Sequence, residues 1–176
     1  MTALVVFESM YGSTKAIAEA ISDGLSETLP SRLAEVGVLA SAPGSRTLPK
    51  DVTLLVVGAP THAFGLSRPS TREDAATTAT SGVITSGKGL REYLDALSLT
   101  TGGLPVAAFD TKVLKPNLPG SAAKAAEKRL RQMGGRPVLP ARTFRVHGKS
   151  DGLVEGELEA ARAWGRELGA ARARLS

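Results

Sequence analysis

The chain has 176 residues, 42% of them hydrophobic and 22% charged, so it is long enough to bury a core and too apolar to stay disordered. Its net charge of +5 is spread along the chain and only 4% of residues are aromatic, which argues against a basic stacking surface for nucleic acid. It contains no cysteine, which excludes disulfides, thiolate metal sites and cysteine nucleophiles.

No apolar run approaches the roughly 20 residues of a membrane-spanning helix, and the first apolar stretch is too short for a signal-peptide core. The expectation is one cytoplasmic domain over residues 1–176. The two histidines, His62 and His147, have no metal-ligand spacing, so no metal site is expected.

Residues 3–8 open with the apolar run Ala3-Leu4-Val5-Val6-Phe7, the pattern of a strand buried on both faces. Ile17, Ala20, Ile21, Gly24, Leu25 and Thr28 then line one face of a helix. Residues 32–39 are a weaker strand candidate, and residues 52–59 a second strong buried strand. Residues 60–89 are rich in Thr, Ser and Gly, with a short helix expected within 71–80. Leu90, Tyr93, Leu94 and Leu97 mark a further helix, residues 105–109 a third strong strand, and Ala122, Ala126, Leu130 and Met133 a helix stopped by Gly134-Gly135. Residues 138–146 read as a strand interrupted by Pro140, and Leu158, Ala161, Gly165 and Leu168 define the last helix. Strands alternating with helices predict a parallel sheet covered on both faces.

Such sheets bind ligands beyond the carboxyl ends of their strands. The turn after the first strand, Ser9-Met10-Tyr11-Gly12-Ser13-Thr14, offers four hydroxyls, a flexible glycine and the start of a helix, whose free N–H groups and dipole favour an anion. An ordinary capped turn would use the same residue types.

This turn resembles the FMN-phosphate loop of flavodoxins, and its Ser-Met-Tyr-Gly core is similar to that of the tryptophan-repressor-binding-protein type of NAD(P)H:quinone oxidoreductases. Gly58-Ala59-Pro60-Thr61 and Ala108-Phe109-Asp110-Thr111 stand where that family places its two flavin-ring loops. The resemblance spans essentially the whole chain. It implies a flavodoxin-like three-layer α/β sandwich with five parallel strands in the order 2-1-3-4-5, and FMN as cofactor. Phosphate contacts would fall to Ser9, Met10, Tyr11, Gly12, Ser13 and Thr14. Ring contacts would fall to Pro60, Thr61, His62, Ala63, Phe64 and Gly65, and to Phe109, Asp110, Thr111 and Lys112.

Phe64 either stacks on the flavin or plugs its loop onto the domain. Asp110 either meets the ring edge or caps a strand end. Arg68 and Arg72 either draw an anionic substrate or pair with Glu73 or Asp74. Flavodoxins usually carry large aromatics on both sides of the ring, and the equivalent loops here have neither Trp nor Tyr. They are also usually acidic, whereas this chain is basic. Residues 82–88 fit the first seven positions of a Walker A loop, but Gly89 stands where the metal-binding hydroxyl belongs. An exposed turn is expected there.

The function implied is an FMN-dependent redox protein, with either a partner protein or NAD(P)H and a quinone-like acceptor exchanging electrons. The rival is an interaction module that kept this fold and lost flavin. The oligomeric state stays open.

Overall fold

The computed structural model describes residues 1–62 and 64–175. In chain order the elements are β1 (Thr2–Phe7), α1 (Ser13–Ser26), β2 (Ser31–Glu35), α2 (Val36–Ser41), β3 (Val52–Pro60), α3 (Pro69–Thr78), α4 (Leu90–Ala96), β4 (Pro105–Val113), α5 (Ala122–Gln132), β5 (Arg136–Pro137), β6 (Arg142–Val146) and α6 (Glu157–Ala173). The strands form a parallel sheet in the order β2-β1-β3-β4-β5, with β6 also paired to β4. The order is the one the sequence implies.

The fifth position of the sheet is filled by two pieces. Val106 faces Pro137 and Phe109 faces Arg142, so the edge strand carries two more residues than β4 over that stretch. Pro140 has no N–H to give a ladder, and the chain leaves the sheet around it before β6 resumes the pairing.

Alternation along the central strands feeds two cores. Ala3, Val5, Phe7, Leu54, Val56, Ala107 and Phe109 face α1 and α6. Leu4, Val6, Leu55, Val57, Val106 and Ala108 face α2, α4 and α5. The helices α1 and α6 approach closely: a Cβ on Gly24 would lie 2.0 Å from the Arg162 carbonyl oxygen, and one on Gly165 2.3 Å from that of Ile21.

The second strand is shorter than the expected residues 32–39. It stops at Glu35, whose carboxylate accepts hydrogen bonds from the Gly37 and Val38 N–H groups at 2.9 Å and starts α2. This is a local capping effect, and it overrides a weak strand pattern. Among the described residues no helix is long and apolar enough to cross a membrane.

Candidate functional site

At the end of β1 the chain turns Glu8 inward, with no exposed surface. Its carboxylate accepts hydrogen bonds from the Ser67 hydroxyl and from the Leu90 N–H at 2.7 Å. Burial is the main influence on this carboxyl and pushes its pKa up. Arg72 joins the same buried group. It donates to Ser67 Oγ at 2.8 Å, to the Gly87 carbonyl at 3.0 Å and to Glu92 Oε2 at 3.0 Å. Arg72 is therefore not a free anion receptor, and its partner is Glu92, not Glu73 or Asp74. No local spacing connects residues 8, 67, 72 and 92.

The phosphate-loop candidate follows directly. Ser9 is buried, and its hydroxyl accepts from the N–H groups of Gly12 at 3.2 Å and Lys15 at 3.3 Å. That closes the turn from within. Gly12 has a φ of 105°, a left-handed conformation that L side chains resist. Beyond it, the N–H groups of Ser13 and Thr14 have no acceptor among the described residues.

The Thr14 hydroxyl is shared with Thr111 at 2.7 Å, and the Tyr11 hydroxyl donates to the Ala75 carbonyl at 3.3 Å. These two hydroxyls brace the site. Lys15 pairs with Glu19 at 3.8 Å along α1.

The segment that imitates a Walker A loop is stitched to this turn. Ser9 N–H donates to Thr85 Oγ1 at 2.9 Å, Thr85 N–H to the Ser9 carbonyl at 2.8 Å, and Ile84 N–H to the Met10 carbonyl at 3.1 Å. Thr85 is buried, while most of the segment is exposed as expected.

A cavity of about 380 Å³ opens over these residues, within the size range of small-molecule sites. Ser9, Met10, Tyr11, Ser13 and Thr14 form one end. Pro60, Thr111, Val113 and Val146 contribute from the carboxyl ends of β3, β4 and β6, and Thr61, His62 and Leu118 from the loops after β3 and β4. Thr71, Asp74, Ala75 and Thr78 of α3 make a side wall, and Lys149 reaches in from beyond β6. A second cavity of about 580 Å³ shares Met10, Tyr11, Thr78 and Lys149 with the first. Burial, with help from the charges of Lys149 and Arg72, lowers the pKa of His62 and favours the neutral imidazole.

The structure gathers most of the expected residues and sets some aside. Phe109 does not line the cavity. It is 1% exposed and packs edge-on against Phe144 and Trp164, with ring centroids 6.2 and 6.4 Å away. Strand alternation sends residue 109 to the α1–α6 side of the sheet. Asp110 is fully buried, and its Oδ2 accepts from Thr61 Oγ1, Ser121 Oγ and Ala123 N–H at 2.9, 2.6 and 3.0 Å. It ties the start of α5 to the β3 loop. Lys112 donates to the Gly120 carbonyl at 2.8 Å.

Gly65 closes a tight turn with His62, two hydrogen bonds of 2.8 Å joining their backbones. Phe64 points to solvent with 59% of its surface exposed and is not among the lining residues. Ala63 lies outside the described residues. The sequence reading missed the α3 wall, Leu118 and Lys149. The α3 segment has almost no apolar stripe to announce a face, and Lys149 sits in a short Gly-Lys-Ser-Asp-Gly turn that looks merely solvated.

No protein-family model matches this sequence, and no curated protein matches it. Solved structures do. An archaeal flavodoxin superposes with a TM-score of 0.65 at 18% identity over 98% of this chain and 99% of its own. Flavodoxin 1 from Bacillus cereus gives 0.67 at 17% identity, covering 96% and 97%. A WrbA-like flavodoxin from Agrobacterium tumefaciens gives 0.59 at 16% identity, covering 99% of each chain. At such identities the likeness speaks for architecture, and with the observed strand order it establishes that this chain has the flavodoxin-like α/β fold.

Proposed function

We propose that the first cavity binds FMN and that the protein is a flavin-dependent redox protein, transferring electrons to a partner or reducing a quinone-like acceptor with NAD(P)H. The observation that carries this reading is the pair of free N–H groups at Ser13 and Thr14, at the head of α1 and beside the cavity. Donors of this kind at a helix start suit a phosphate. The Ser13 hydroxyl is beside them, and the Tyr11 and Thr14 hydroxyls are already spent on bracing.

At the other end, Val113, Leu118 and Val146 provide apolar walls and His62 a neutral imidazole. The donor set therefore fits the phosphate end of FMN, and the apolar end fits a flat ring without the aromatic sandwich of typical flavodoxins. Bound there, the flavin supplies the redox chemistry, while the protein supplies position, polarity and exclusion of water.

Titration of the purified protein with FMN, and in parallel with riboflavin, tests the reading. FMN is expected to bind at micromolar concentration. Ser13→Glu is expected to weaken FMN by at least about tenfold and to leave riboflavin, which has no phosphate, unchanged. Equal effects on both ligands would place the phosphate elsewhere. Failure of the parent protein to bind FMN would overturn the reading in favour of an interaction module on this fold. For a loaded protein, turnover of NAD(P)H with a quinone separates a reductase from an electron carrier.

A further inference from the structure

Within the mostly exposed segment 82–88, the Thr85 side chain turns inward and keeps no exposed surface. It lines neither cavity. Its hydroxyl stands between two partners that are far apart in the chain. It donates to Glu35 Oε1 at 2.7 Å and accepts from the Ser9 N–H at 2.9 Å. Chemistry fixes the direction of both bonds: an ionised carboxylate only accepts and a backbone N–H only donates. The single hydroxyl proton therefore goes to Glu35, and an oxygen lone pair is turned to Ser9. Donating to a carboxylate also makes that oxygen a better acceptor.

Both ends of this relay are held. Glu35 stands beside Phe7 in the register of β2 with β1, which brings it next to the start of the turn. The same carboxylate accepts from the Gly37 and Val38 N–H groups at 2.9 Å and so caps α2. A Cβ on Gly37 would lie 2.9 Å from the Ser86 carbonyl oxygen, so the start of α2 and the segment carrying Thr85 lie in close contact. At the other end every polar group of Ser9 is engaged. Its N–H meets the Thr85 hydroxyl, its carbonyl accepts from the Thr85 N–H at 2.8 Å, and its own hydroxyl accepts from Gly12 and Lys15. Gly12 and Lys15 flank Ser13 and Thr14, whose N–H groups are the phosphate donors in the flavin reading.

We propose that Thr85, oriented by Glu35, is a positioning residue that fixes Ser9 and so aims the Ser13 and Thr14 N–H groups before any ligand arrives. The proposal rests on the flavin reading above and adds what sets its selectivity. A turn already ordered in the free protein costs little to order on binding, which strengthens the hold on a phosphate. The ring end of the cavity takes its residues from other segments. The relay therefore favours FMN over riboflavin.

Titrations of the parent, Thr85→Val and Thr85→Ser proteins with FMN and with riboflavin test this. Valine keeps the branched shape and removes the hydroxyl, so FMN affinity is expected to fall about tenfold with riboflavin affinity unchanged. Thr85→Ser restores the hydroxyl and should bind FMN as the parent does. Unchanged FMN affinity in Thr85→Val, equal losses for the two ligands, or a serine variant as weak as the valine one would each overturn the proposal. Where Thr85→Val does not fold, Glu35→Ala carries the test, because Glu35 is part-exposed and lines neither cavity. Its FMN affinity should fall about threefold while riboflavin holds, and an unchanged ratio of the two affinities would overturn the proposal.

If the parent takes up no FMN, the flavin reading fails by itself. The positioning is then read from amide hydrogen exchange in the flavin-free proteins. Thr85→Val, or Glu35→Ala in its place, should speed exchange at Gly12 and Lys15, whose N–H groups rest on Ser9, and leave the α6 amides unchanged. Rates at Gly12 and Lys15 equal to those of the parent would overturn the proposal.

Discussion

Replacing Gly58 by alanine would drive a methyl group into the Phe109 ring. Gly58 and Phe109 are direct neighbours across β3 and β4, and a Cβ at residue 58 would lie 2.0–2.4 Å from three ring carbons. The ring has little room to retreat, because Phe144 and Trp164 hold it edge-on from the other side. Overpacking costs about 1–3 kcal/mol, and disturbing two edge contacts adds about 0.5–1.5 kcal/mol each. A loss of about 3 kcal/mol is therefore expected, or a fall in Tm of about 6–12 °C for a chain of this size.

Urea unfolding of Gly58→Ala, Phe109→Leu and the double variant measures it. The smaller leucine should accept the new methyl, so the double variant should lose clearly less than the sum of the two single losses. Additive losses, or a Gly58→Ala cost below about 1 kcal/mol, would refute the packing argument. Phe109→Leu should also leave FMN affinity unchanged; a substantial loss would mean that the ring reaches the cavity after all.

Asp110→Ala would strip three donors of their acceptor and is expected to cost about 3 kcal/mol in urea unfolding, with α5 the first element to lose hydrogen-exchange protection. Burial raises the Tyr93 pKa from 10.0 to about 12. The fold thus prefers the neutral phenol: its contribution is complete below pH 10 and is lost as pH rises towards 12, in total about 3 kcal/mol. Tyr93→Phe should remove that part of the alkaline decline, and equal slopes for the two proteins would contradict it. The lowered His62 pKa acts in the opposite sense, giving stability that is present above pH 6.5 and lost as pH falls through the folded value. His62→Gln should flatten that decline. Lys149→Gln should raise the His62 pKa in an NMR titration, since the Lys149 charge is the second cause of its depression.

Local pattern alone carried a large part of this protein. Period-2 and period-3.6 apolar spacing marked the central strands β1, β3 and β4 and the long helices. The Ser9 to Thr14 turn pointed to the proposed phosphate site because strand, hydroxyl-rich loop and helix start are contiguous in the chain. Pro60, Thr61, His62 and Thr111 followed by resemblance and do reach the cavity.

Tertiary structure decided what depends on facing direction and on distant partners. Phe109 and Thr111 share one face of β4, yet Phe109 is sunk in the α1–α6 core while Thr111, nearer the strand end, meets Thr14 and lines the cavity; Asp110, one step away, faces α5. Arg72 looks like a candidate anion receptor in the sequence, yet its guanidinium is taken up by Ser67, the Gly87 carbonyl and Glu92. The α3 wall and Lys149 arrive from segments with no periodic apolar signal. A sequence displays periodicity and adjacency, which are local. Which face a strand end presents, and which charge it finds there, exists only after the sheet has closed the distance between residues far apart in the chain.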